Sequence, residues 1–496
     1  MAEGIPKADS LLLPDVFRFL NEDGSLADIG WQNEEKSDLW IYNQHYFDWL
    51  DSRSARENPN MVEPITLDWI KNNKPGAAPG WEPYPTSLRI VNWCKFHWRS
   101  RCMSQEMIDN LAVQAQHLSK SVEWHLLANH LFANGKALIF AGIFFDEPLS
   151  DSWLRKGINI ITQQLDEQIL ADGGHFELSP MYHCIILEDC LDLVNLLGQS
   201  DLPETDRLAQ KLRARIPSMF NWLSQMSFSD RQISFFNDTT FNISADPDML
   251  LDYAHRLGLC DVQFSPREGD GFYHLEQSGY IRKNEGVFEL IFDVGEIGPK
   301  YQPGHAHADT LSFELAVKGQ RLIINTGIST YGISPKRLAQ RSTAAHSTVE
   351  IEGESSSEVW SGFRVARRAL PFGLTINHKT DRLSCSHDGY NRLKHSPVHT
   401  RQVTFSKDEI EIDDIVSVKS SNATAYFHIH PDWVLEATDE GVICLMNDIR
   451  VLLSCKTGEA ELAKSQYHIG FNKSRDAHCL RVRLARGNAS LSIRCI

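Results

Sequence analysis

Near residue 265 the hydrophobic period of the chain changes, and no other feature constrains its fold as much. From about 88 to 260 apolar residues recur at three and four positions, as in Leu111, Val113, Leu118 and Val122, then Leu126, Leu127, Leu131, Leu138 and Phe140. That spacing predicts amphipathic helices. The breaks between them are short and polar, for example Phe145-Asp146-Glu147-Pro148 and Ala171-Asp172-Gly173-Gly174. A run of helix pairs without a fixed-period repeat suits an α/α toroid or solenoid. Beyond 265 the segments are short, alternating and rich in β-branched residues, such as Val287-Phe288-Glu289-Leu290-Ile291-Phe292 and Glu409-Ile410-Glu411-Ile412. Gly, Asp and Asn turns separate them, which predicts an antiparallel β-sandwich. The fold class is therefore α+β. Residues 1–35 read as an irregular lead-in, 36–264 as the α/α toroid domain and 265–496 as the β-sandwich domain.

A chain of 496 residues with 42% hydrophobic and 23% charged residues can build more than one core. Its formal charge of −16 argues against a nucleic-acid partner, whose binding needs basic surface. An acidic ligand would have to be held locally by Arg, His and Asn. The ten cysteines are scattered with no CxxC pair, the mark of reduced thiols rather than a disulfide scaffold. The N-terminus lacks a signal-peptide pattern, and no apolar run approaches about 18 residues. No transmembrane span is expected, and the location is read as cytoplasmic or periplasmic. Oligomeric state is not encoded in any motif.

Three stretches concentrate chemistry. In Gly304-His-Ala-His-Ala-Asp-Thr-Leu-Ser-Phe313, an extended chain would project His305, His307 and Asp309 from one side of a strand. Such a trio can ligate a metal, position a carboxylate or move protons. In Trp124–Leu138, Asn129 and His130 interrupt an otherwise apolar helix and need polar partners if buried. In Asp172–His183 a Gly-Gly turn leads into a Pro-started helix bearing Glu177, Tyr182 and His183. A tyrosine of ordinary pKa, about 10, serves best as a proton donor. Further on, Tyr331 closes a small-residue loop, Arg341 is suited to forking a carboxylate, and His346 starts a strand. GxSxG, HExxH, P-loop and dinucleotide-binding motifs are absent from the sequence.

Taken together, Leu39–Leu50, Glu82–Phe96, His125–Leu138, Asp172–His183, Gly304–Phe313 and Ala345–Arg368 resemble the heparinase II/III-like polysaccharide lyases, in the family's order. The resemblance is closest to the branch associated with bacterial surface-polysaccharide loci. It implies an incomplete α/α toroid followed by an antiparallel β-sandwich, with the active site in the groove between them. The implied reaction is β-elimination on a uronic-acid-containing polysaccharide or oligosaccharide. Asn129 would neutralise the substrate carboxylate, and Tyr182 would protonate the leaving oxygen or act as base. His305 would be the other acid–base group, and His130 a base or carboxylate contact. Tyr331, Arg341 and Glu177 would be substrate contacts. Some relatives hold a structural zinc at positions that here read His307, Asn325 and His346. Asn is a poor substitute for an ionised carboxylate on zinc, so a metal-free hydrogen-bonded cluster that requires no cofactor is the expectation. Two alternatives share the fold: a uronyl C5-epimerase, and a non-catalytic glycan-binding protein of polysaccharide assembly.

Overall fold

The computed structural model describes residues 1–12, 15–33, 35–200, 202–266, 269–420 and 422–496. The lead-in is not irregular. Leu11–Leu12, Val16–Phe19 and Glu22–Ser25 form a small antiparallel sheet, followed by the one-turn helix Leu26–Ile29. Its cause is the alternation that buries Phe17 and Phe19, whose rings meet Trp31, Trp49 and Trp40. The aromatic block at 39–50 is core as well: Trp40, Phe47 and Trp49 are wholly buried.

The chain divides into two compact units. One comprises Met1–Ile169, Ile186–Ile216 and Asp252–Val262; the other comprises Leu170–Ile185, Pro217–Leu251 and Gln263–Ile496. The change of period near 265 thus marks where helices give way to strands, while the compact units interleave earlier in the sequence.

In the first unit, Pro83–Ser100 packs on Ala128–Phe144, which packs on Pro148–Gln168. The apolar stripe behaves as its spacing predicts at Leu111, Leu118, Leu131, Leu138 and Phe140, all buried, whereas Val113 is exposed. Gly157 lets two helices approach closely, since a Cβ there would lie 2.6 Å from the Gly135 carbonyl oxygen.

In the second unit two antiparallel sheets face each other. One has eight strands in the order Pro371–Asn377, Arg382–His387, His399–Phe405, Glu409–Val416, Asn488–Cys495, Ile449–Thr457, Gly441–Met446, Val434–Thr438. The other runs Glu459–Gly470, Lys473–Arg483, Ala423–Ile429, Gln320–Ile324, Phe313–Val317, Phe288–Asp293, Tyr280–Glu285, Gly271–Leu275, with Val349–Ile351 also on Ala423–Ile429. Alternate residues point inward, as Ile410 and Ile412 do, and join Phe288, Leu290, Phe292, Leu491 and Ile493 in one core. Each such side chain contributes about 1.5–3 kcal/mol by burial.

Asp414 also points into this core. It is kept ionised there by buried Arg401, which bonds it through Nε and Nη2 at 2.8 and 2.9 Å, and by His399 at 2.8 Å. Arg401 reaches further, to the carbonyl oxygens of Leu311 and Ser347, and so braces two loops from below.

Candidate active site

The second unit's polar centre is Asp238, a residue that motif reading passed over. Asn237 before it adopts a left-handed conformation, φ 55°, that asparagine tolerates. Its side chain donates to the Leu178 carbonyl at 3.0 Å and accepts from the His307 amide at 3.0 Å. The Asp238 amide donates to the His305 carbonyl at 3.0 Å. Ser179 completes the frame: its hydroxyl donates to the Asp238 carbonyl at 2.6 Å and accepts from the Tyr182 amide, starting the helix Pro180–Leu197. Three distant segments are therefore cross-bonded through their backbones. Leu178, with φ 59°, is a strained residue that this frame holds.

The Asp238 side chain is fully buried and has four donors. His305 Nδ1 and Arg337 Nη2 reach Oδ2 at 2.8 and 2.6 Å, and His307 Nε2 reaches Oδ1 at 2.8 Å, where Arg337 Nη1 also binds. Burial would raise its pKa, but Arg337 and the two histidines outweigh burial and hold the carboxyl well below the usual range. With Nδ1–H directed at this carboxylate, His305 carries its lone pair on Nε2. Its side chain is 13% exposed, so the ring is reachable from solvent.

Tyr182 stacks on His305 with ring centroids 3.9 Å apart and 29° between planes. Its hydroxyl lies 3.1 Å from that of Tyr331. Burial and the nearby Asp238 push the Tyr331 phenol well above its ordinary pKa, so Tyr331 stays protonated and can donate. The Arg337 guanidinium lies over the Tyr331 ring at 4.9 Å.

The stretch Gly304–Phe313 is not the strand its alternation suggested. It is a turn-rich loop that enters the sheet only at Phe313, with Leu311 at φ 61°. His305 and His307 still converge, because both reach one carboxylate. Asp309 goes elsewhere and accepts from the Asn237 amide at 3.4 Å.

His307, His346 and Asn325 form a chain, with His307 Nδ1 3.1 Å from His346 Nε2 and His346 Nδ1 3.2 Å from Asn325 Oδ1. Burial keeps His307 at about 4 and His346 well below its ordinary value, so both are neutral at pH 7. This donor set does not fit zinc. Asn325 faces the opposite nitrogen of the His346 ring from the one that meets His307, so the three donors share no common point. Among the described residues no group of three or more His, Cys, Asp or Glu side chains is arranged to hold a metal ion.

Two other predicted substrate contacts are buried. The four hydrogen bonds recorded for the Arg341 side chain all go to main-chain carbonyls: Nε and Nη2 donate to Ala306, Nη1 to Gly362 and Nη2 to Arg364. Arg341 is thus a latch on the backbone rather than an open fork. The site guanidinium is Arg337, one helical turn earlier in Pro335–Arg341. Glu177 is 2% exposed, 3.8 Å from His175 Nδ1, and its charge acts on Tyr331.

Asn129 and His130 belong to the first unit. They sit in the first turn of Ala128–Phe144, not in mid-helix, after Leu127 and Ala128 at φ 58° and 52°. Asn129 hydrogen-bonds Tyr84, whose ring lies 4.4 Å from that of His130. Glu123 accepts from His130 Nδ1 at 3.1 Å and from Asn134 Nδ2 at 3.0 Å, leaving Nε2 as the other face of His130.

A helical unit, a two-sheet sandwich and a buried carboxylate that holds a reachable histidine beside a tyrosine define an α+β protein with a candidate acid–base site. Residues 32–253 match the heparinase II/III N-terminus model and residues 267–494 the heparinase II/III-like C-terminal model. The chain belongs to the heparinase II/III-like family. A heparin-sulfate lyase of Bacteroides stercoris is 22% identical over 78% of this chain, which spans 60% of that relative's length. The FtsZ-localized protein C of Caulobacter vibrioides is 27% identical over 78% of this chain and 69% of that protein. The crystal structure of heparinase III aligns over 94% of this chain and 79% of its own with TM-score 0.75 at 16% identity. That likeness fixes the fold as an α/α toroid followed by an antiparallel β-sandwich. Among the described residues no helix is long and apolar enough to cross a membrane.

Proposed function

We propose that this protein is a polysaccharide lyase that cleaves a uronic-acid-containing glycan by β-elimination. The observation that carries the reading is the Asp238–His305–Tyr182–Tyr331 constellation. A carboxylate fixes the histidine tautomer, and a second phenol stands ready to stabilise the tyrosine once it has given up its proton. In this mechanism His305 Nε2 takes the C5 proton of the uronate. The electron pair left behind forms the C4–C5 double bond as the C4–O4 bond breaks. Tyr182 gives its proton to O4, and Tyr331 donates to the resulting phenolate. A proton passing from His305 to Tyr182 resets the site.

The uronate carboxylate must be neutralised before its C5 proton becomes acidic. We assign that part to Asn129, with His130 beside it, on the strength of the motif they share with the family. The relatives named as heparin-sulfate lyases support an acidic polysaccharide as substrate.

Mass spectrometry of digests of heparan sulfate, hyaluronan, alginate and polyglucuronate tests the reaction class. Elimination yields fragments whose masses sum to that of the parent. Fragments that have gained one water each time a bond is cut would contradict it.

A further inference from the structure

Beside the candidate active site stands a hairpin whose exposed residues the mechanism does not use. Glu358–Trp360 and Arg364–Ala366 pair antiparallel, with Trp360 directly opposite Arg364. Cross-strand partners share a face, so an indole and a guanidinium stand side by side. Trp360 is 53% exposed and Phe363 40%, and Arg364 is exposed as well. The Arg364 guanidinium enters no ion pair among the described residues, whereas the one acid on the hairpin, Glu358, is held by Arg367 at 2.7 and 2.8 Å. The hairpin therefore offers an aromatic surface and one unneutralised cation.

Its position is fixed by the site. The Gly362 carbonyl at the tip accepts from Arg337 Nε at 3.1 Å and Arg341 Nη1 at 3.0 Å, and Arg337 is the residue that grips Asp238. A Cβ at Gly362 would lie 2.6 Å from the Gly332 carbonyl oxygen, so the tip rests directly on the loop that carries Tyr331. The Phe363 ring lies edge-on to Tyr331 at 5.4 Å and to His305 at 6.1 Å. A chain of sugars with one unit at His305 would pass onto this face.

We propose that Trp360, Phe363 and Arg364 form a subsite for an acidic sugar unit next to the one that reacts, the rings stacking on its apolar face and Arg364 meeting its carboxylate or sulfate. The proposal rests on the reading of the substrate as an acidic glycan. It gives Arg341 a purpose as well, since that buried latch holds the hairpin in place.

The test is calorimetric titration of heparan sulfate, hyaluronan, alginate and polyglucuronate into the chain carrying Tyr182→Phe, which binds without turnover. Adding Trp360→Ala or Arg364→Ala is expected to weaken binding about tenfold, with the melting temperature unchanged because both side chains are exposed. Arg364→Ala should also flatten the dependence of affinity on salt, and Arg364→Lys should restore it. Unchanged affinity in both variants, or binding of none of the four glycans, overturns the subsite. Affinity that follows Trp360 and Arg364, with no unsaturated product from the wild-type chain on the glycan it binds, keeps the subsite and overturns the lyase. Unsaturated product formed at an unchanged KM by Trp360→Ala and Arg364→Ala chains that keep Tyr182 does the reverse.

Discussion

Arg337 grips Asp238 with both ends of its guanidinium, and neither side chain reaches solvent. Removing one member of such a pair strands the other charge in a medium that cannot solvate it. Arg337→Ala is expected to lower the unfolding free energy by about 3–5 kcal/mol, and Arg337→Lys, which cannot bind in two places, by less. Urea unfolding of both variants checks this. A loss below about 1 kcal/mol for Arg337→Ala would mean that water reaches Asp238.

Tyr331 touches Tyr182 through one hydrogen bond. Tyr331→Phe keeps the ring, its packing on Phe363 and Phe471, and the Arg337 contact. Stability should change by no more than about 1.5 kcal/mol. Loss of the donor to the departing Tyr182 proton's oxygen should lower kcat about tenfold with KM little changed. Steady-state kinetics beside a thermal melt separates the two effects.

Arg341 invites the opposite expectation. Arg341→Ala leaves the carbonyls of Ala306, Gly362 and Arg364 without a donor they now have, and should cost at least about 2 kcal/mol of stability. A variant with full stability and only a raised KM would return Arg341 to the role of direct substrate contact.

Acid should weaken the fold in two stages. Burial pushes His307, against the pull of Asp238, and His428 down to about 4. The unfolded residues titrate near 6.5. Between those values the unfolded chain binds protons that the folded chain refuses, so stability is complete above about pH 6.5 and falls as pH drops toward 4. At pH 5 the loss is about 2 kcal/mol from each histidine. Below about pH 4 the decline continues, because Asp238 and Asp414 are held under the usual carboxylate range. Urea midpoints across this range check the sign, and a flat profile from pH 7 to 5 would contradict it.

The sequence made some of this legible, and physics explains the rest. Period-3.6 and period-2 stripes are local, so the order of helices and strands could be read directly. His305 and His307 were visible as a motif, but the reason they converge was not. They meet on Asp238, 67 and 69 residues away, and backbone cross-bonds to Asn237 and Ser179 do the work that a strand was expected to do. Asn237-Asp238 after two phenylalanines is a polar pair in an apolar setting, the one local sign of a buried charge. Arg337 and Arg341 lie on one helix, and nothing local shows which grips a carboxylate and which grips carbonyls. The cluster at Asp414 has the same chemistry of Asp, Arg and His, yet His399 is fully buried where His305 is not. Exposure separates a brace from a candidate catalyst.

Whether His305 and Tyr182 together carry out elimination can be followed in the ultraviolet absorbance of the C4–C5 unsaturated uronate. Wild-type chain, His305→Ala and Tyr182→Phe are each followed on the four acidic glycans. Absorbance should rise with the wild type, at a rate at least about 100-fold lower in each variant. A rise that neither substitution slows would contradict it, as would solvent deuterium entering C5 of the glycan with no rise at all.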